Sequence, residues 1–223
     1  MCGRYTLSAS REAMMEGFKL IIRPQILHPR YNIAPSQPAA VITPSPQGGR
    51  ALDFMVWGLI PSWVKDLSRS HAPINARSET VATKPSFRAA FRHRRCLVPA
   101  DGFYEWGLAD GRKRPHHFKR RDGAPFALAG IWENWMDASG TEIHSFAILT
   151  TEPNPLVSPI HHRMPVILPP SSHERWLAPD PLESAEAGEL FLPFPAQEMT
   201  AHAVSDHVNN PAHDDPLCIA PVP

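Results

Sequence analysis

Proline constrains this chain more than any other residue. There are 26 in 223 positions, spread along the whole length. Each removes a backbone donor and fixes φ, so long helices are excluded and short strands joined by ordered loops are expected. The alternating and β-branched runs fit that limit. Strands are predicted at 39–43, 52–57, 95–98, 102–107, 115–120, 125–132, 143–151, 165–168 and 199–205, and the stretch at 30–35 is extended. Turns are predicted at 44–49, Asp110-Gly111, Asp122-Gly123 and Ser139-Gly140, so that 95–151 reads as a β-meander. Short helices are predicted at 10–18, with Ser10 as N-cap, and at 171–177 and 182–190. A helical turn spans 154–160, and further turns run through Phe87 and Phe91. With no internal repeat and no linker, the expected fold is a single α+β domain over 1–223. Its sheet is mixed and barrel-like with short flanking helices, and 206–223 is a loop-rich tail.

No apolar run reaches the length of a membrane span and no signal peptide is visible, which points to the cytoplasm. Net charge is zero, but residues 84–121 carry 11 of the 22 Lys and Arg against three acids. Such a stretch suits a phosphate backbone or a solvated face. The three cysteines, Cys2, Cys96 and Cys218, are far apart and lack CxxC spacing, which argues against disulfides and a thiolate metal site. Nor do the 12 histidines form an HExxH. No metal and no cofactor are expected.

Met1-Cys2-Gly3-Arg4 opens the chain. Trimming of Met1 leaves Cys2 with a free α-amine (pKa about 7.7–8.0) and a thiol (about 8.5), both partly nucleophilic near neutrality. This 1,2-aminothiol can take an aldehyde first as an imine and then as a thiazolidine. Alternatively, Cys2 merely begins a strand. Glu105, between Tyr104 and Trp106, is a general acid or base if it faces inward. Strand alternation favours instead a solvent-facing carboxylate. His161 and His162 offer a proton shuttle or a structural loop contact. Arg4 and Arg77 are phosphate clamps or ion-pair partners of an acid such as Glu79. Trp57 and Trp63 are a stacking platform or core.

Several stretches, in order, resemble the SOS-response-associated peptidase (SRAP) family, whose members process abasic sites in single-stranded DNA. They are Met1 to Tyr5, Tyr31 to Pro35, Trp57 to Trp63, Ile74 to Thr80, Arg95 to Trp106, Phe146 to Thr151, Ile160-His161, Arg163 to Leu168 and Val204-Ser205. One departure stands out: His162 occupies the place of the family's usual aspartate. The resemblance implies that Cys2 forms a thiazolidine crosslink with the ring-opened abasic sugar. It further implies that Asn75 orients the amine, Glu105 shuttles protons and His161 assists imine chemistry and reversal. The implied DNA contacts are Gly3, Arg4, Asn32, Trp57, Pro61, Trp63, Arg77, Thr150 and Arg163. The implied partner is single-stranded DNA bearing abasic sites, met by a monomer associated with the nucleoid when bound. The family name adds autoproteolytic exposure of the cysteine, although one preceding Met1 needs only a general aminopeptidase. A cysteine peptidase acting on other proteins and a non-covalent single-stranded DNA reader are the alternatives.

Overall fold

Proline and glycine divide the chain into segments too short to stand alone, and most find a β partner. The computed structural model describes residues 2–21, 27–67, 72–109, 111–137 and 139–222. Met1 and Asp110, on which the trimmed start and one predicted turn depend, lie outside the described residues. Strand β1 (Tyr5–Leu7) leads to helix α1 (Arg11–Phe18). The Ser10 hydroxyl accepts the Ala13 N–H at 3.2 Å and so caps the helix as expected. Next come β2 (Arg30–Ile33), β3 (Pro38–Pro44) and β4 (Arg50–Trp57). Gly48 and Gly49, at φ 86° and 70°, turn β3 into β4. Then follow β5 (Asn75–Arg77), α2 (Arg88–His93), β6 (Arg95–Ala100), β7 (Gly102–Ala109) and β8 (Arg112–Arg120). The chain continues through β9 (Phe126–Met136), β10 (Glu142–Thr151), β11 (Met164–Pro165) and β12 (Ile167–Leu168). It finishes with α3 (His173–Leu177), α4 (Ser184–Leu190) and β13 (Met199–Ala203). None of these helices is long and apolar enough to cross a membrane.

The strands form two sheets, one ordered β13-β8-β7-β1-β2 and the other β11-β10-β4-β3-β6-β9-β12 with β5 on β10. The predicted meander is therefore divided. Strands β6, β9 and β10 lie in the larger sheet, while the β7–β8 hairpin crosses to the smaller. Asp101 marks the crossing, where its carboxylate accepts from the Thr6 hydroxyl and from the Ser8 N–H and hydroxyl. Pairing in the larger sheet runs from β9 through β10, β4 and β3 to β6 and back to β9. The β3–β6 seam is a single pair, Ile42 opposite Leu97. The sheet is barrel-like as expected and twisted, but the single-pair β3–β6 seam leaves it short of a fully closed barrel.

Strand β7 is covered on both faces. Glu105 is 2 % exposed, and Tyr104, pointing the other way, is 0 % exposed in a second small core with Val204, Val208 and Cys218. That second core exists because the C-terminal stretch folds back as two tight turns, Asp206–Asn209 and Pro216–Ile219. Asn32 holds it there: its Nδ2 donates to the carbonyls of Val208 (3.1 Å), Asn210 (3.1 Å) and His213 (2.7 Å). The Asp214 carboxylate accepts from the N–H groups of Tyr31 and Asn32 and pairs with Arg30. Asn32, expected to touch DNA, is instead fully buried and anchors the chain's own end.

Truncating Asn32 to Ala takes the side-chain donor from the Asn210 and His213 carbonyls and one of two donors from the buried Val208 carbonyl. A loss of about 2–4 kcal/mol of unfolding free energy is expected, together with faster proteolysis after residue 205. Chemical denaturation and limited proteolysis check this. A change below about 0.5 kcal/mol, the usual size for a surface substitution, would refute the anchoring role.

Candidate active site around Cys2

The N-terminus reaches the interior by pairing with β7. Tyr5 lies opposite Phe103 and Thr6 opposite Gly102, and the Tyr104 N–H donates to the Arg4 carbonyl at 3.0 Å. Beyond this ladder lies Cys2, whose thiol is close enough to Glu105 to feel its charge. From the larger sheet comes β5, in parallel with β10, with Asn75 beside Ile148. Its side-chain Nδ2 donates to the Cys2 carbonyl at 2.8 Å. Asn75, Glu105 and Cys2 are therefore assembled from three separate strands. The Asn75 Oδ1 and Thr150 Oγ1 are buried and make no hydrogen bond among the described residues, a state that calls for a partner.

Glu105 faces inward, against what alternation favoured, because both faces of β7 are covered. Burial pushes its carboxyl up to about 7, so it is poised between acid and base near neutrality. Cys2 is fully buried. Its thiol is pushed well above the ordinary range by that burial and then by the charge of Glu105, so it waits as a thiol rather than a thiolate. Among the described residues, no three metal-ligating side chains converge at Cys2.

His161 follows a turn capped by Asn154, whose Oδ1 accepts the N–H groups of Leu156 and Val157, each at 3.0 Å. Its Nδ1 lies 3.9 Å from the Glu105 carboxylate and 3.0 Å from both the backbone nitrogen and the carbonyl oxygen of Arg163. Arg163, expected to contact DNA, is buried and spent on protein. It makes two bonds to Glu79 (2.5 and 3.0 Å) and one to the Thr150 carbonyl (2.5 Å). This clamp ties the His161 loop to β10. Glu79, held below the usual carboxylate range first by that hydrogen bond, is thus taken by Arg163 and not by Arg77.

The remaining expected DNA contacts are scattered. Trp57 is a core residue, not half of a platform: it is 0 % exposed, sits edge-on to Tyr5 at 5.2 Å and bonds the Ile74 carbonyl. Trp63 is 63 % exposed. Arg4 uses Nη1 on Asn32 (2.7 Å) and on the Val208 carbonyl (2.8 Å), and its guanidinium lies 5.8 Å from the Trp106 ring. Gly3 is half-buried between Cys2 and Arg4, and Pro61 is buried. A groove of about 1240 Å³ runs beside Asn75, lined by Pro61, Trp63, Lys65, Arg77 and Lys84 among others. Lys65 escaped sequence reasoning as a site residue, and Lys84 entered it only as the first cation of the basic 84–121 stretch. The basic 84–121 stretch does not form one face. Arg94 pairs with Glu133, Arg120 with Asp122, and Arg95 is buried against the carbonyls of Phe91 and Trp176.

His162 is exposed yet stacks on His161, with ring centroids 4.3 Å apart. Burial first, and then the neighbouring His162 and Arg163, hold His161 below the ordinary histidine range. A carboxylate at 162 removes one repulsion and adds an attraction, and both changes favour the imidazolium. In His162→Asp, NMR titration of the His161 ring is therefore expected to show an upward shift. An equal or lower midpoint would mean that residue 162 does not tune the site.

Comparison with known proteins points to one family. The family model described as SOS response associated peptidase (SRAP) matches residues 1–211. Abasic site processing protein YoqW of Bacillus subtilis (strain 168) is 39% identical over 222 residues, covering 98% of this chain and 99% of YoqW. Abasic site processing protein YedK of Escherichia coli (strain K12) is 30% identical over 229 residues, covering both chains in full. A crystal structure of a protein from Bacteroides thetaiotaomicron superposes with a TM-score of 0.86 at 31% identity, over 99% of this chain and 100% of that one. With its N-terminal cysteine, strand-borne asparagine, buried glutamate and looped histidine brought together, the chain belongs to the SRAP family.

Proposed function

We propose that this protein processes abasic sites in single-stranded DNA by linking Cys2 covalently to the ring-opened sugar. The observation that carries the reading is the placement of a buried carboxyl of pKa about 7 beside an N-terminal cysteine whose carbonyl Asn75 holds. The names of the relatives, abasic site processing proteins, support the substrate class.

Once Met1 is removed, the α-amine of Cys2 is the first nucleophile. Glu105, protonated, donates to the sugar ring oxygen as the ring opens to the aldehyde. The amine adds to the aldehyde carbon, and loss of one water gives the imine. The thiol then adds to the imine carbon, closing a five-membered thiazolidine while its proton passes through Glu105 to the ring nitrogen. The sum is aldehyde plus aminothiol giving thiazolidine plus water. Attack within one residue replaces a bimolecular encounter, which supplies a large effective molarity. A buried thiol needs such a base, since it is no thiolate at rest. The same feature counts against a peptidase acting on other proteins, which relies on an activated thiolate. His161, neutral at pH 7 and near Glu105, assists the imine steps and their reversal. The Trp63 indole stacks on a base, and Lys65, Arg77 and Lys84 receive phosphates along the groove.

Three experiments test the reading. Above pH 7 Glu105 loses the proton needed for ring opening, and below it loses the capacity to take the thiol proton. Single-turnover crosslinking to an abasic oligonucleotide is therefore expected to peak near pH 7. Glu105→Gln should slow it by about tenfold or more and flatten the profile. An unchanged rate would reduce Glu105 to a structural role. Arg77→Ala should weaken binding to single-stranded DNA and lower the salt slope by about 0.7 log units per decade. A slope equal to that of the parent protein would remove Arg77 from the phosphate path. In Cys2→Ala the covalent band on a denaturing gel should vanish; adduct that persists there would overturn the proposal.

A further inference from the structure

The C-terminal segment carries a cluster that the chemistry at Cys2 leaves unused. His207, Asp215 and Cys218 bring an imidazole nitrogen, a carboxylate oxygen and a thiol sulfur within 4.8 Å of one another. Among the described residues it is the one group of three or more such side chains so arranged. Two capped turns build it. The Ser205 hydroxyl accepts the His207 N–H at 3.3 Å and opens the Asp206–Asn209 turn. Asp215 Oδ1 accepts the Leu217 N–H at 2.9 Å, and the Cys218 N–H donates to the Asp215 carbonyl at 3.0 Å. Turn geometry thus sets the Asp-x-x-Cys separation, and Asn32 and Asp214 fix the segment on β2. A third feature steadies the imidazole. The His213 ring stacks on His207 with centroids 3.9 Å apart and planes 13° from parallel, and its Nδ1 donates to the His207 carbonyl at 2.8 Å.

His207 Nε2 also lies 3.0 Å from Asp215 Oδ2, so a plain ion pair is the competing account. That account does not explain why the buried Cys218 sulfur, which also donates to the His213 carbonyl at 3.6 Å, lies within 4.8 Å of both groups. One thiol, one imidazole and one carboxylate are the donor types that zinc takes, at bond lengths of about 2.0–2.3 Å. We propose that His207, Asp215 and Cys218 form a zinc site, with water in the fourth position on the exposed side. Binding replaces the His207–Asp215 hydrogen bond with two metal bonds, and the proton that Nε2 gave to that hydrogen bond leaves to solvent or to Nδ1. Cys218 gives up its proton to solvent as the Zn–S bond forms. The ion then staples together the two turns whose Val208 carbonyl receives Arg4, two residues from Cys2.

The test uses the whole chain after chelation and dialysis, titrated with zinc chloride and separately with cobalt chloride. One equivalent of each should bind, and cobalt should give a thiolate-to-metal charge-transfer absorption. Cys218→Ser should abolish that absorption and weaken zinc binding by about tenfold or more, while Cys2→Ser retains both. His207→Asn, which does not touch the core, should weaken zinc comparably and so covers the case in which Cys218→Ser fails to fold. No charge-transfer absorption in the parent protein would overturn the proposal, as would an absorption lost only in Cys2→Ser. Unchanged zinc affinity in His207→Asn would do the same.

Discussion

Everything at the candidate site depends on the antiparallel pairing of β1 with β7. It is a short ladder, Tyr5 opposite Phe103 and Thr6 opposite Gly102, continued by the bond from the Tyr104 N–H to the Arg4 carbonyl. Because side chains alternate, a slip of one residue would swap Glu105 with Tyr104 and turn the carboxyl away from Cys2. The register is pinned from outside the ladder. Asp101 holds Thr6 and Ser8 at one end, and Arg4 is tied through Asn32 and Val208 to the C-terminal segment at the other. The first and last stretches of the chain thus fix one another, and Cys2 lies at their junction.

Local chemistry was legible in the sequence wherever the physics is local. The Ser10 cap, the glycine turns near 48, 123 and 140, and most strand positions follow from propensity and turn geometry. The grouping of Cys2, Asn75, Glu105 and His161 came from resemblance, since their proximity rests on contacts far apart in sequence. Alternation misread Glu105 because it assumes one covered face, and the segment at 206–221 covers the second. The same cause made Asn32 look like a ligand contact when it is the anchor of that segment. Trp57 and Trp63 are indistinguishable by type. Only the pairing of β4 with β10, which stacks Trp57 near Phe146, separates the buried indole from the exposed one. Arg163 and Arg77 differ in the same way, through the single carboxylate of Glu79.

Burial also sets the electrostatics. It raises the Cys2 thiol, raises Glu105 to about 7 and lowers His161, so all three favour their neutral forms. A site of neutral groups suits chemistry in which protons move at each step and no strong standing charge is needed. Cations line the adjoining groove instead, at Lys65, Arg77 and Lys84.

The most direct measurement is the intact mass and reactivity of the purified protein after reaction with a single-stranded oligonucleotide bearing one abasic site. A thiazolidine at Cys2 predicts the mass of protein lacking Met1 plus oligonucleotide less one water. It also predicts no gain of two hydrogens under borohydride and no alkylation of Cys2 in the denatured adduct. An adduct that borohydride reduces, or whose Cys2 alkylates fully, would be an open imine or a link through another residue, and would contradict the account.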